Sequence, residues 1–198
     1  MKILKYFEQF LFEKNKNKDK NKDKVYSYGC LMLYYDFPEI KKLHNIIDKD
    51  DIHEIGLETE PHTTLLYGLH DNEINDDELF DHVLKKHIPN LILYNPSLFE
   101  NAEFDVLKFD VKQQTPKNDD YKKKDDILFI INKELCDNFP YTSDYPNYSP
   151  HNTIAYLEKG KGKKYVNMLK NEEYVVTPKY FIYSKSDGNK IKEKIDQN

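Results

Sequence analysis

Two short segments of the chain carry residue types that move protons and hold oxyanions. Pro61-His62-Thr63-Thr64-Leu65-Leu66-Tyr67 and Pro150-His151-Asn152-Thr153-Ile154-Ala155-Tyr156 share the pattern Pro-His-x-Thr-apolar-apolar-Tyr. A single His-x-Thr arises readily by chance, but the whole pattern twice, each time after a polar loop, does not. The repetition predicts two similar lobes. On a strand, residues i and i+2 share a face. His62 is therefore expected beside Thr64, and His151 beside Thr153. The same alternation puts Leu65, Tyr67, Ile154 and Tyr156 on the opposite face, which assigns both tyrosines to a core.

Two imidazoles across a cleft suit cleavage of a phosphodiester. One, neutral, removes a proton from the attacking hydroxyl or water; the other, protonated, delivers one to the leaving oxygen. Thr64 and Thr153 can donate to the non-bridging oxygens, where charge grows in the transition state. The scheme needs no metal and no cofactor, and it predicts a bell-shaped pH profile. The structural alternative is that both histidines are strand residues bonded through their rings.

Other reactive side chains form no second constellation. His44, His53 and His70 have no ligand spacing, and His82 and His87 lie five apart on one helix, off a common face. Cys30 and Cys136 lack a CxxC partner and read as packing residues, which points to an intracellular, cytoplasmic setting. Glu60 reads as exposed. No P-loop or nucleophile-elbow pattern occurs.

The elements that must position the motifs follow from apolar patterning. Tyr26–Tyr35, a segment within Leu57–Leu69, Leu91–Leu93, Phe104–Val111, Ile127–Ile131, His151–Leu157, Tyr174–Thr177 and Tyr180–Ser184 read as strands. Lys2–Glu13, Pro38–Ile47, Asn75–His87 and Asn132–Asn138 read as helices; acids open and bases close the third. Lys159–Lys164 reads as a hairpin turn or a basic loop reaching over the cleft, and Ser186–Asn189 as a turn. Strands and helices without strict alternation imply an α+β, mainly antiparallel domain. The expected division is an N-terminal helix and Lys/Asn-rich linker over 1–24 and one bilobal domain over 25–198.

Charge narrows the ligand. The net charge is -5, and Lys14–Lys24 alone holds six Lys and two Asp. The body is thus strongly acidic, against binding of a long nucleic acid and in favour of a compact phosphorylated ligand in a locally basic cleft. All 30 basic residues are lysine; without arginine, phosphate must be held by Lys, His, hydroxyl or backbone N–H groups. No apolar run is long enough to span a membrane. Met1–Phe12 is amphipathic and is followed by no small-residue cleavage site, so no secretory leader is expected. Tyr141, Tyr145 and Tyr148 crowd the approach to the second motif, and Tyr28 lies on the first expected strand, beside the first-motif strand. Tyr28, Tyr145 and Tyr148 are candidate stacking faces for a base, with core capping as the alternative, and Lys161 is a candidate phosphate contact.

PHTTLLYG and PHNTIAYL resemble the two H-x-[ST]-hydrophobic motifs of the 2H phosphoesterase superfamily, the LigT-like and cyclic-phosphodiesterase-like enzymes. The resemblance implies a bilobal fold, two pseudo-symmetric antiparallel sheets facing a central cleft with helices outside. It implies that His62 and His151 are the catalytic pair and that Thr64 and Thr153 bind phosphate. NYSPHNTIAY is most similar to the viral branch, which includes anti-CBASS phosphodiesterases of phages that degrade cyclic oligonucleotide messengers. The expected function is metal-independent hydrolysis of a small, cyclic di- or trinucleotide signal in the host cytoplasm. The alternatives are opening of RNA 2′,3′-cyclic phosphates, hydrolysis of 2′-5′ linkages, or a non-catalytic nucleotide-binding sponge.

Overall fold

The computed structural model describes residues 28–116, 120–143 and 147–195. The expected helix Lys2–Glu13, the Lys14–Lys24 run, the proposed boundary at 24/25 and Tyr145 lie outside these residues. Eight strands are described: β1 (Gly29–Asp36), β2 (Ile52–Leu57), β3 (His62–Leu69), β4 (Leu91–Glu100), β5 (Phe104–Gln113), β6 (His151–Glu158), β7 (Tyr174–Ser184) and β8 (Lys190–Lys194). Four helices join them: α1 (Ile40–Asn45), α2 (Asp76–Leu84), α3 (Ile127–Asn138) and α4 (Gly162–Leu169).

Every strand pair is antiparallel, and the order is β2-β6-β5-β4-β7-β1-β3 with β8 on β7. Strand β7 serves both lobes. Tyr174–Val176 pairs with β4, whereas Thr177–Ser184 pairs with β1. Pro178 falls near this change of partner, where a missing N–H is tolerated. The motif strands β3 and β6 therefore belong to different sheets.

Each sheet has an outer and an inner face. The outer face is covered by the helices: Leu43, Leu79, Val83, Leu128, Leu135 and Leu169 pack with strand residues such as Leu33, Leu65, Phe109 and Ile154. The inner cluster draws on strands of both sheets, through Cys30, Met32, Tyr34, Ile55, Phe104, Val106, Tyr156 and Ile182, and holds no helical residue. This is the α+β arrangement of two sheets about a cleft with helices outside.

Helix α2 begins where Asn75 accepts from the N–H groups of Asp77 and Glu78, with Asp76, Asp77 and Glu78 in its first turn. Ile127–Ile131, expected as a strand, is instead the start of α3. Asp126 caps it by accepting from Leu128 N, and Leu128, Ile131 and Leu135 share its buried face. A short apolar run does not distinguish strand from buried helix by periodicity, and the cap decides. The segment expected as a hairpin turn at Lys159–Lys164 opens α4, and strands β2 and β8 lie where no strand was expected.

Candidate active site

Both motif strands depart from regular alternation at the same place. In β3, Thr64 pairs with Met32 and Leu66 with Leu31, so Leu65 is an extra residue. In β6, Thr153 pairs with Lys108 and Ala155 with Leu107, so Ile154 is extra. A bulge advances the side-chain alternation by one position. The apolar pair of each motif thus faces the helices, and the tyrosine three residues after the threonine returns to the inner face. Tyr156 belongs to the inner cluster and Tyr67 packs against it. This corrects the expectation that the tyrosines oppose the histidines: both are packed, but on the cleft side.

The two imidazoles are held in the same way. His62 Nδ1 lies 2.8 Å from the carbonyl of Glu60, and His151 Nδ1 lies 2.9 Å from that of Ser149. A carbonyl only accepts, so each Nδ1 carries the hydrogen and each Nε2 is the atom that exchanges protons. Because Nδ1 turns to the backbone, Nε2 turns away from it. The His62 ring stacks on Tyr34 at 5.0 Å, and Phe99 meets His151 edge-on at 4.9 Å.

The variable residue of each motif ties the lobes together. Asn152 Nδ2 donates to the carbonyl of His62, and Thr63 Oγ1 donates to the carbonyl of His151. Both side chains are fully buried. Tyr35 OH in turn donates to Thr63 Oγ1 at 3.0 Å, since the Thr63 hydrogen is already committed.

Electrostatics act on His151. Burial lowers the His151 pKa to about 4, with further lowering from the charges of Lys108 and His62 and opposition from the Ser149 carbonyl and Asp110. The ring retains partial solvent access.

Lys108 is a candidate site residue that the sequence reading missed. It is 5% exposed, pairs with Thr153 across β5 and β6, and lies over the Phe99 ring at 4.8 Å. Its ammonium donates to Asp110, which sits opposite His151 and also accepts from Asn95. The only sequence signal was its place in Phe104, Val106, Lys108, the alternate positions of β5 that face inward. Thr64 keeps partial exposure, and Thr153 is buried at its side of the cleft.

The other expected contacts lie elsewhere. Tyr28 stacks on His70 at 5.4 Å, at the end of β3 remote from His62. Tyr148 donates to the carbonyl of Thr64 at 3.0 Å and packs on Phe129 of α3, on the helix side of the sheet. It braces the first motif strand and offers no face to the cleft. Lys161 follows the far end of β6 and pairs with Asp51 at 3.6 Å. Its neighbours are committed as well: Lys159 to Asp105, Lys163 to Glu100, and Lys164 to Asp48. Buried Asp105 also accepts from the N–H groups of Gly160 and Gly162, so this loop is clamped to the second sheet.

No family model matches the chain, and no curated protein matches it. Its fold has counterparts among solved structures. Kluyveromyces marxianus Usb1, solved with uridine monophosphate, aligns with TM-score 0.52 at 10% identity, over 86% of this chain and 99% of that one. Escherichia coli LigT, solved with phosphate, aligns with TM-score 0.36 at 13% identity, over 86% of this chain and 96% of that one. The likeness to Kluyveromyces marxianus Usb1 extends over most of the described residues and shows a shared fold.

Proposed function

We propose that the chain is a metal-independent phosphodiesterase acting on a small oligonucleotide, with His151 as proton acceptor and His62 as proton donor. The observation that carries this reading is the matched anchoring of the two Nδ1 atoms. It leaves Nε2 of each ring as the proton-exchanging atom, on strands bonded to each other.

His151, uncharged at neutral pH, takes the proton of the attacking hydroxyl at Nε2. The hydroxyl oxygen forms its bond to phosphorus as the bond from phosphorus to the leaving oxygen breaks. His62, as imidazolium, gives its Nε2 proton to that leaving oxygen. The pair ends in the reverse protonation state, and exchange with solvent restores it. Thr64, Thr153 and the Lys108 ammonium hold the non-bridging oxygens while negative charge accumulates.

A nucleotide substrate is supported by the uridine monophosphate in the solved structure of like fold. The acidic body favours a compact ligand, and the resemblance of 147–156 to the viral branch favours a cyclic di- or trinucleotide messenger and a role in countering host defence. Incubation with cyclic dinucleotides, cyclic trinucleotides, 2′-5′ oligoadenylate and RNA ending in 2′,3′-cyclic phosphate, with product masses recorded, tests the reading. Cleavage of a cyclic oligonucleotide in EDTA supports it. Turnover of the RNA substrates alone moves the assignment to RNA ends, and release of intact ligand makes the chain a sponge.

A further inference from the structure

The inner face of the first sheet carries registered rows of side chains from the first motif to the sheet's edge. His62 lies opposite Tyr34, Tyr34 opposite Tyr180, and Tyr180 opposite Lys194. The adjacent row runs Thr64, Met32, Ile182, Lys192. Directly opposed residues of antiparallel strands project to the same side. Lys192 and Lys194 therefore share the face of His62 and Thr64, while Glu193 alternates to the other.

The first row is in ring contact from His62 to Tyr180, and a lysine of the adjacent row covers Tyr180. The rings of His62 and Tyr34 are 5.0 Å apart, those of Tyr34 and Tyr180 5.1 Å, and Lys192 Nζ sits 3.5 Å over Tyr180. A register shift at Lys179 brings this third lysine to the same place. Together Lys179, Tyr180, Lys192, Lys194 and Ile195 line a pocket of about 450 Å³. Every lysine of the clamped 159–164 loop has a carboxylate partner. Among the described residues, no ion pair involves Lys179, Lys192 or Lys194. Glu60 and Glu58 act electrostatically on Tyr34, and Glu60 on Tyr180, from the motif end of the row, two carboxylates against three ammonium groups.

We propose that this pocket is a subsite for a phosphate two nucleotides away from the one cleaved, engaged by any oligonucleotide substrate long enough to carry one. The inference rests on the phosphodiesterase reading above. The lysines stand two to three strand spacings, ~10–14 Å, from the histidine. Six covalent bonds join neighbouring phosphorus atoms, so one nucleotide spans only part of that distance. In a cyclic di- or trinucleotide every phosphate neighbours the scissile one, whereas a cyclic tetranucleotide, or a linear strand with a phosphate two nucleotides away, has one far enough.

The test compares linear di-, tri- and hexanucleotides in the wild type and in Lys192→Gln/Lys194→Gln, with Lys163→Gln as a surface control. In the wild type, kcat/KM rises about tenfold from the dinucleotide to the hexanucleotide, through KM, as expected for charge-assisted phosphate contacts. The double variant abolishes that rise and flattens the slope of log KM against log salt by about 0.7; the control keeps it. An equal ratio in wild type and double variant overturns the subsite. If the wild type cleaves none of these, the functional reading falls separately. The same hexanucleotide-to-dinucleotide ratio is then read from equilibrium binding, with the same two outcomes.

Discussion

Asn152 Nδ2 donates to the backbone carbonyl of His62 at 3.1 Å, across the junction of the two lobes. The reciprocal bond, from Thr63 Oγ1 to the carbonyl of His151, is 3.2 Å long. The middle residue of each His-x-Thr motif thus fixes the backbone of the other motif's histidine. The relative position of the two imidazoles follows from these two bonds more than from the packing of either lobe alone.

Asn152→Ala leaves the buried His62 carbonyl without its donor. We expect a loss of about 1–3 kcal/mol in unfolding free energy, together with a fall in kcat at little change in KM. Thr63→Ser keeps the reciprocal bond and restores near wild-type rates, whereas Thr63→Val does not. Denaturant unfolding and steady-state kinetics on the three variants check this; unchanged kcat in Asn152→Ala would sink the positioning role.

The depressed His151 pKa sets a pH signature. The acidic limb of kcat/KM falls well below the 6.5 of an ordinary histidine, toward about 4. Stability has the same origin. Between these values the unfolded chain binds a proton at His151 that the folded chain does not, so stability declines as pH drops from 6.5 through about 4 and this contribution levels off below. Unfolding of wild type and His151→Gln across pH 4 to 7 reads the difference, which vanishes if His151 titrates normally.

Lys108→Met removes a buried ammonium from beside Thr153 and His151. The acidic limb moves to higher pH, because a repelling charge is lost and Asp110 is left unpaired. The rate at optimal pH falls about 10²-fold if the ammonium holds a transition-state oxygen. A pH profile shows both; a rate loss with an unmoved limb would place Lys108 away from His151 in solution.

Lys161→Ala leaves kcat/KM within about twofold of wild type, since its ammonium faces Asp51 at the remote end of β6. Asp105→Ala, by contrast, strips three hydrogen bonds from the 159–162 loop and lowers the melting temperature. Thermal melts and kinetics on the two variants separate loop anchoring from substrate binding.

The placement of each motif's histidine and threonine was legible because His-x-Thr keeps both side chains on one strand face wherever the strand lies. The tyrosine was misplaced because alternation assumes a regular strand, and the bulges at Leu65 and Ile154 are set by partners far away in sequence. Lys108 resembled an ordinary polar position of an alternating strand; only the opposing sheet makes its surroundings a cleft. The cross-lobe bonds of Thr63 and Asn152 were invisible for the same reason. Ile127–Ile131 misled because an apolar pentapeptide fits strand and helix equally, and the deciding cap, Asp126, is a single residue.

The central claim is tested most directly by single-turnover cleavage of a cyclic trinucleotide in excess EDTA by wild type, His62→Ala and His151→Ala. We expect the wild type to cleave and each variant to be slower by about 10²–10⁴, with both remaining folded. Wild-type rates in either variant, or loss of wild-type cleavage in EDTA, would contradict two-histidine proton transfer.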